Sequence, residues 1–199
     1  MVSHDKAHCA EVAGQWGFDY WDGERQYGYG GYRYDGRWRP VAQAMADHYG
    51  LKPGDRVLDI GCGKAFLLFE LTQVVPGLVV AGLDTSAYAL EHAPAEVRPF
   101  LHLGECDALA FEDASFDFVF SINLFHNLGM SRLAPSLAEM MRVGRDRRYI
   151  CVESFRNARE KVNLLYWQLT CLSFHSPEDW LFIYDHFGYR GDYSFIYFE

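Results

Sequence analysis

The sequence predicts a doubly wound, mostly parallel α/β sheet, and three observations carry that prediction. Val57-Leu58-Asp59-Ile60-Gly61-Cys62-Gly63 reads as a buried strand that turns on glycines into a helix starting at Phe66. Twenty-five positions after Asp59, a second apolar run, Leu78 to Leu83, ends in another acid, Asp84. Further along, strand-like and helix-like stretches keep alternating, the pattern of parallel strands joined by crossover helices. Ligands of such sheets sit beyond the carboxyl ends of the strands, where strand order reverses.

The elements follow in order. Pro40 opens a helix over Val41 to Tyr49, and Gly50 stops it. Lys52-Pro53-Gly54-Asp55 is a turn, and the first strand runs from Arg56 to Ile60. A helix over Phe66 to Val75 is closed by Pro76-Gly77. The second strand ends at Asp84, and Ser86 caps a helix reaching about His92. The third strand covers Pro99 to Leu103. The fourth, Phe116 to Ile122, alternates little and so reads as buried on both faces. A helix over Leu133 to Arg142 precedes the fifth strand, Tyr149 to Glu153. Two helices follow, Arg159 to Cys171 and Pro177 to Phe187. Ser176 and Asp179 form a capping signature for the second. Tyr193 to Phe198 is a last strand.

A strand, a glycine turn, a helix and a strand ending in a carboxylate together suit a nucleoside. The glycines admit the ligand close to the backbone, and the acid accepts hydrogen bonds from ribose hydroxyls. The dinucleotide pattern needs a third glycine where Phe66 stands, and Asp59 before the turn would repel a diphosphate. A nucleoside with a cationic group fits better. Val-Leu-Asp-Ile-Gly-Cys-Gly followed by Gly-Leu-Asp-Thr-Ser resembles the class I S-adenosylmethionine-dependent methyltransferases, clearly so from Lys52 to Glu153. Ala65 replaces the family's last glycine. The resemblance implies a Rossmann-like sheet ordered 3-2-1-4-5 with extra strands beyond. Only eleven residues follow Gly188, so the usual terminal strand hairpin is expected to be shortened to one full strand.

The resemblance also implies a cofactor set: Asp59, Gly61, Gly63, Asp84 and Thr85, with Glu105 on the adenine amino group and the Cys106 backbone on the ring. Ser121 or Asn123 would meet the methionine end. His126 and Glu153, at the ends of strands 4 and 5, are the candidate catalytic bases. The competing readings are a histidine packed against the sheet and an acid paired with Arg156.

Phe18 to Trp38 holds eight aromatics and five glycines, which suits neither helix nor strand and reads as an ordered lid. Tyr27, Tyr29, Tyr32, Arg33 and Trp38, with Tyr166 from a later aromatic stretch, are the expected substrate and lid residues. Aromatic faces can flank a sulfonium, and arginines suit an anionic group. The alternative is a small satellite core. The expected organisation is one domain, with the lid over 1–39 and the core over 40–199.

The net charge of −9 weighs against nucleic acid, whose affinity comes from Lys and Arg on phosphates. No apolar run is long enough to span a membrane, and no signal-peptide core is seen. The five cysteines form no C-x-x-C pair, so no metal is expected and the cytoplasm is the expected compartment. The expected activity is methyl transfer from S-adenosylmethionine to a small molecule, by a monomer or homodimer. A non-catalytic cofactor-binding protein of the same fold, or a protein or RNA methyltransferase, is the alternative.

Overall fold

A computed structural model describes residues 5–199. Six strands form one sheet: β1 (Arg56–Ile60), β2 (Val79–Asp84), β3 (Leu101–Leu103), β4 (Phe116–Ile122), β5 (Gly144–Glu153) and β6 (Asp192–Ile196). Their order is β3-β2-β1-β4-β5-β6, and every pairing is parallel. The order reverses between β1 and β4, which sets the switch point above their carboxyl ends. The helices are α1 (Lys6–Ala13), α2 (Phe18–Trp21), α3 (Arg39–Tyr49), α4 (Phe66–Val74), α5 (Ala87–Glu91), α6 (Met130–Val143), α7 (Ala158–Trp167) and α8 (Pro177–His186).

Strand residues alternate between two apolar layers, as the pleat requires. Leu58, Ile60, Val119, Ile150 and Val152 pack with Leu137 and Met140 of α6 and Trp180 of α8. Val57, Val80, Phe118 and Phe120 face the other way, onto Ala42 and Met45 of α3 and Leu68 and Leu71 of α4. Burial on both faces is why the strands read as unbroken apolar runs. Gly50 ends α3 in the left-handed conformation, φ 58°. Ser176 and Asp179 form the expected capping box on α8.

The sheet order and the lone terminal strand agree with expectation. Several element boundaries do not, among them those of β5, β3 and α7. β5 begins at Gly144, not Tyr149. Its start is Arg-rich, and Arg145 pairs with Asp117 and Arg147 with Asp55, which satisfies those charges at the beginning of the strand. β3 shrinks to Leu101–Leu103, because Arg98–Phe100 form a 3-10 turn around Pro99. α7 stops at Trp167, and residues 168–171 continue without helical structure. The lid contains two helices, α1 before the glycine-rich stretch and α2 at its start, where the glycines hid it; the first four residues of the lid's expected span lie outside the described residues.

Candidate functional site

At the end of β1 the chain turns through Gly61 (φ 81°) and Gly63 (φ 54°) before α4. Ala65 also sits at φ 53°, a conformation that costs an alanine about 1–2 kcal/mol. The Gly63 N–H donates to Asp84 Oδ2 at 2.7 Å, and the Ser86 N–H donates to Oδ1 at 2.8 Å. Asp84 is thereby fixed at the end of β2, facing the turn.

Asp59 lies beside it, 5% exposed. Burial, then the charge of Asp84, pushes the Asp59 carboxyl well above the usual carboxylate range. Burial likewise raises Asp84, against the backbone N–H groups that favour its ionised form. Neither acid has an ion-pair partner among the described residues. Two desolvated carboxyls without a countercharge fit a ligand bearing hydroxyl donors and a positive charge, so the residues present suit an adenosyl sulfonium.

The rest of the expected cofactor set is less available. Thr85 is exposed next to Asp84. Arg132 holds Glu105 and Asp107 together, so Glu105 already has a partner. Cys106 is buried with its Sγ 3.2 Å from Ser136 Oγ, a contact of its side chain and not of the backbone expected to meet the ring. Ser121 is fully buried and donates from Oγ to the Ile60 carbonyl at 2.7 Å, which ties β4 to β1. Asn123 is different. It sits at φ 60°, and its buried Oδ1 has no partner.

The lid docks onto this turn. The Trp21 ring lies so close to Gly63 that a Cβ there would be 2.6 Å from it, so only glycine fits. Trp21 Nε1 donates to Ser86 Oγ at 2.9 Å. Next to it, Lys64 Nζ donates to both oxygens of Asp22, at 2.7 and 2.6 Å, and to the Tyr32 carbonyl at 2.8 Å. Burial raises the Asp22 carboxyl, but hydrogen bonds from Lys64 and Tyr88 outweigh it and hold the group below the usual range. Lys64, immediately after the glycine turn, is therefore the lid's anchor; an isolated lysine in the sequence gave no sign of this.

On the other side of Asn123, a cavity of about 720 Å³ opens above β4 and β5. Tyr20, Tyr29, Asn123, Glu153, Tyr166 and Gln168 are among its walls. Glu153 lies at its buried floor, 7% exposed. Burial lifts its carboxyl to about 7, although Gln168 Nε2 donates to Oε2 and favours the ionised form. Its expected competitor as a partner, Arg156, binds Glu160 and Glu199 instead.

His126 does not line this cavity. The Glu153 N–H donates to His126 Nδ1 at 3.2 Å, which places the ring proton on Nε2. Nε2 lies 3.6 Å from Glu153 Oε2, too far for a hydrogen bond. Burial drives the imidazole down to about 3, so it is neutral, and its one lone pair is occupied. The ring thus supports the β5 end from a buried position, while Glu153 faces the cavity.

Among the expected lid residues, Tyr29 and Tyr166 reach the cavity. Tyr32 and Trp38 pair with each other, Trp38 Nε1 donating to Tyr32 Oη at 2.7 Å. Tyr27 packs edge-on to His8, and Arg33 lines a separate open groove. Tyr20 and Gln168 were not singled out. Tyr20 is one of eight aromatics in its stretch and nothing local distinguishes it, and the overlong helix expected through Cys171 hid Gln168.

Residues 57–147 match the family model described as a methyltransferase domain. Nocamycin O-methyltransferase of Saccharothrix syringae is 37% identical over 90 residues, 41% of this chain and 31% of that protein. Demethylmenaquinone methyltransferase of Symbiobacterium thermophilum is 31% identical over 128 residues, 60% of this chain and 50% of that protein. This chain thus spans half or less of the length of these two relatives. The YcgJ protein of Bacillus subtilis superposes with a TM-score of 0.60 at 19% identity, over 74% of this chain and 68% of that one. The fold is shared, and residues 57–147 are similar to the methyltransferase domain of the class I S-adenosylmethionine-dependent methyltransferases.

Proposed function

We propose that this protein transfers a methyl group from S-adenosylmethionine to a small molecule held in the cavity above β4 and β5. One observation carries the proposal: Glu153, with a carboxyl near neutrality at about 7, lies at the floor of an aromatic-walled cavity adjoining the family's glycine turn. A base is most effective when its pKa lies near the working pH.

Asp84 would accept the ribose hydroxyls, and Asp59 would offset positive charge. Gly61 and Gly63 would let the ligand approach the backbone. When bound, S-adenosylmethionine supplies an activated methyl group on a sulfonium. Everything else falls to this chain. The acceptor's hydroxyl or amine hydrogen passes to Glu153, whose other contact, Gln168, keeps Oε2 oriented. Asn123 Oδ1 offers the unpaired acceptor that a ligand N–H or O–H needs at the border of the two sites. Tyr20 and Tyr29, edge to face with centroids 5.3 Å apart, wall off water. Holding two reactants at attack distance can supply on the order of 7–11 kcal/mol of the barrier.

The lid's closure over the site supports a small acceptor over a polymer. The test is S-adenosylhomocysteine release from S-adenosylmethionine. Turnover with a fractionated metabolite extract and none in buffer is the expected result. Cofactor binding without turnover across broad extracts would favour the non-catalytic alternative.

A further inference from the structure

The cavity's ionisable walls are unevenly placed. Glu153 is its one acid, at the buried end, whereas Lys6 and Arg25 are exposed and stand at its rim. Both cations converge on the end of α7. Lys6 Nζ lies 5.9 Å from the Tyr166 ring centroid, and the Arg25 guanidinium lies 5.8 Å from that of Trp167. Lys6 donates to the Leu165 and Tyr166 carbonyls, and Arg25 to the Gly28 carbonyl. An ammonium has three hydrogens and a guanidinium five, so those contacts position the groups and leave donors to spare. Neither cation has an acidic partner among the described residues, in a protein where most other arginines do. In a chain of net charge −9, two such cations beside two aromatic rings are conspicuous.

We propose that Lys6 and Arg25 form a carboxylate subsite at the rim of the cavity, so that the acceptor carries a carboxylate at the end opposite its methylated atom. The inference rests on the cavity being the acceptor site and deepens that reading by naming the substrate class: an elongated aromatic or alicyclic acid with a hydroxyl or amine at the far end. The apolar body would lie along Tyr29, Tyr166 and Trp167. Arg25 offers a planar fork matched to a carboxylate, and its stacking on Trp167 pre-orients that fork. The same polarity keeps the acceptor from entering reversed, because its carboxylate would then meet Glu153.

The test compares two probes, a hydroxybiphenylcarboxylate with its polar groups at opposite ends and the hydroxybiphenyl lacking the carboxylate. Binding to the full chain is followed by tryptophan fluorescence without cofactor, at low ionic strength. The carboxylate should bind about tenfold more tightly than its neutral counterpart. That advantage should vanish in the Lys6→Ala, Arg25→Ala double variant, persist in Lys6→Arg, Arg25→Lys, and shrink with salt. Both side chains are exposed, and melting curves check that each variant is folded. Equal binding of the two probes, binding of neither, or an advantage retained in the alanine variant would overturn the subsite. S-adenosylmethionine titrations of the same proteins keep the outcomes apart: loss of cofactor binding in the native chain removes the parent reading, whatever the probes do.

Discussion

The glycine turn and the cavity lie side by side, yet their construction differs. The turn is local. Asp59, Gly61, Gly63 and Asp84 come from two adjacent strands and one loop, and hydrogen bonds from Gly63 and Ser86 to Asp84 close it. The cavity is assembled from distant segments: Lys6 and Arg25, Asn123, Glu153, and the chain after α7. A site built locally is constrained by backbone geometry and reads as a motif. A site assembled from afar is constrained only by packing and can change its chemistry while the fold stays fixed.

Four substitutions would break or sharpen that contrast, the largest effect first. Glu153→Gln should reduce the methyl-transfer rate by about 10²–10⁴-fold while leaving cofactor affinity unchanged. Single-turnover rates and calorimetry check the two halves. A cofactor affinity that fell with the rate would merge the two sites. Asp84→Ala should weaken cofactor binding by about tenfold to a hundredfold, since it removes charge-assisted hydrogen bonds of about 1.5–3 kcal/mol. Lys64→Ala should destabilise the fold by about 2–3 kcal/mol, less than for a fully enclosed pair because Asp22 retains some solvent. Denaturant melts measure it, and a double-mutant cycle with Asp22→Asn should show coupling. Ala65→Gly relieves a left-handed alanine at the cost of a more flexible unfolded chain, so stability should change by no more than about 1 kcal/mol.

The pH dependence separates rate from stability. The Glu153 carboxyl is raised to about 7 in the fold from an ordinary value near 4.5. The rate should therefore rise with pH through about 7 and flatten above it, and this step should be absent in Glu153→Gln. The stability effect runs the other way. The folded state holds this proton more tightly than the unfolded chain, so the contribution is present below the ordinary value and is lost as pH rises through about 7. Glu153→Gln should accordingly raise the melting temperature more at pH 8 than at pH 5. His126 has the opposite sign. Lowered to about 3, it destabilises the fold progressively as pH drops below its ordinary 6.5.

This contrast also explains what could be read in the sequence. β1, β2, the turn between them and the capping box of α8 were legible because each is set by neighbours a few residues away. β5's start was not, because Arg145 and Arg147 are satisfied by Asp117 and Asp55, far off in sequence. Glu153 was legible as a strand-end acid, but choosing between it and His126 needed the Glu153 N–H on Nδ1. Gln168 was hidden behind a helix that ends earlier than its apolar pattern suggests. The lid was legible in composition and not in geometry: eight aromatics announced it, while Lys64 and Asp22 decide where it rests.

The central claim is that the turn binds S-adenosylmethionine through Asp84. Calorimetric titration of the native chain and of Asp84→Ala with S-adenosylmethionine, and of the native chain with NAD, tests it directly. The account predicts one saturable site for S-adenosylmethionine, at least about tenfold weaker in the variant, and no heat with NAD. Binding of NAD without S-adenosylmethionine, or an affinity unchanged by Asp84→Ala, would contradict it.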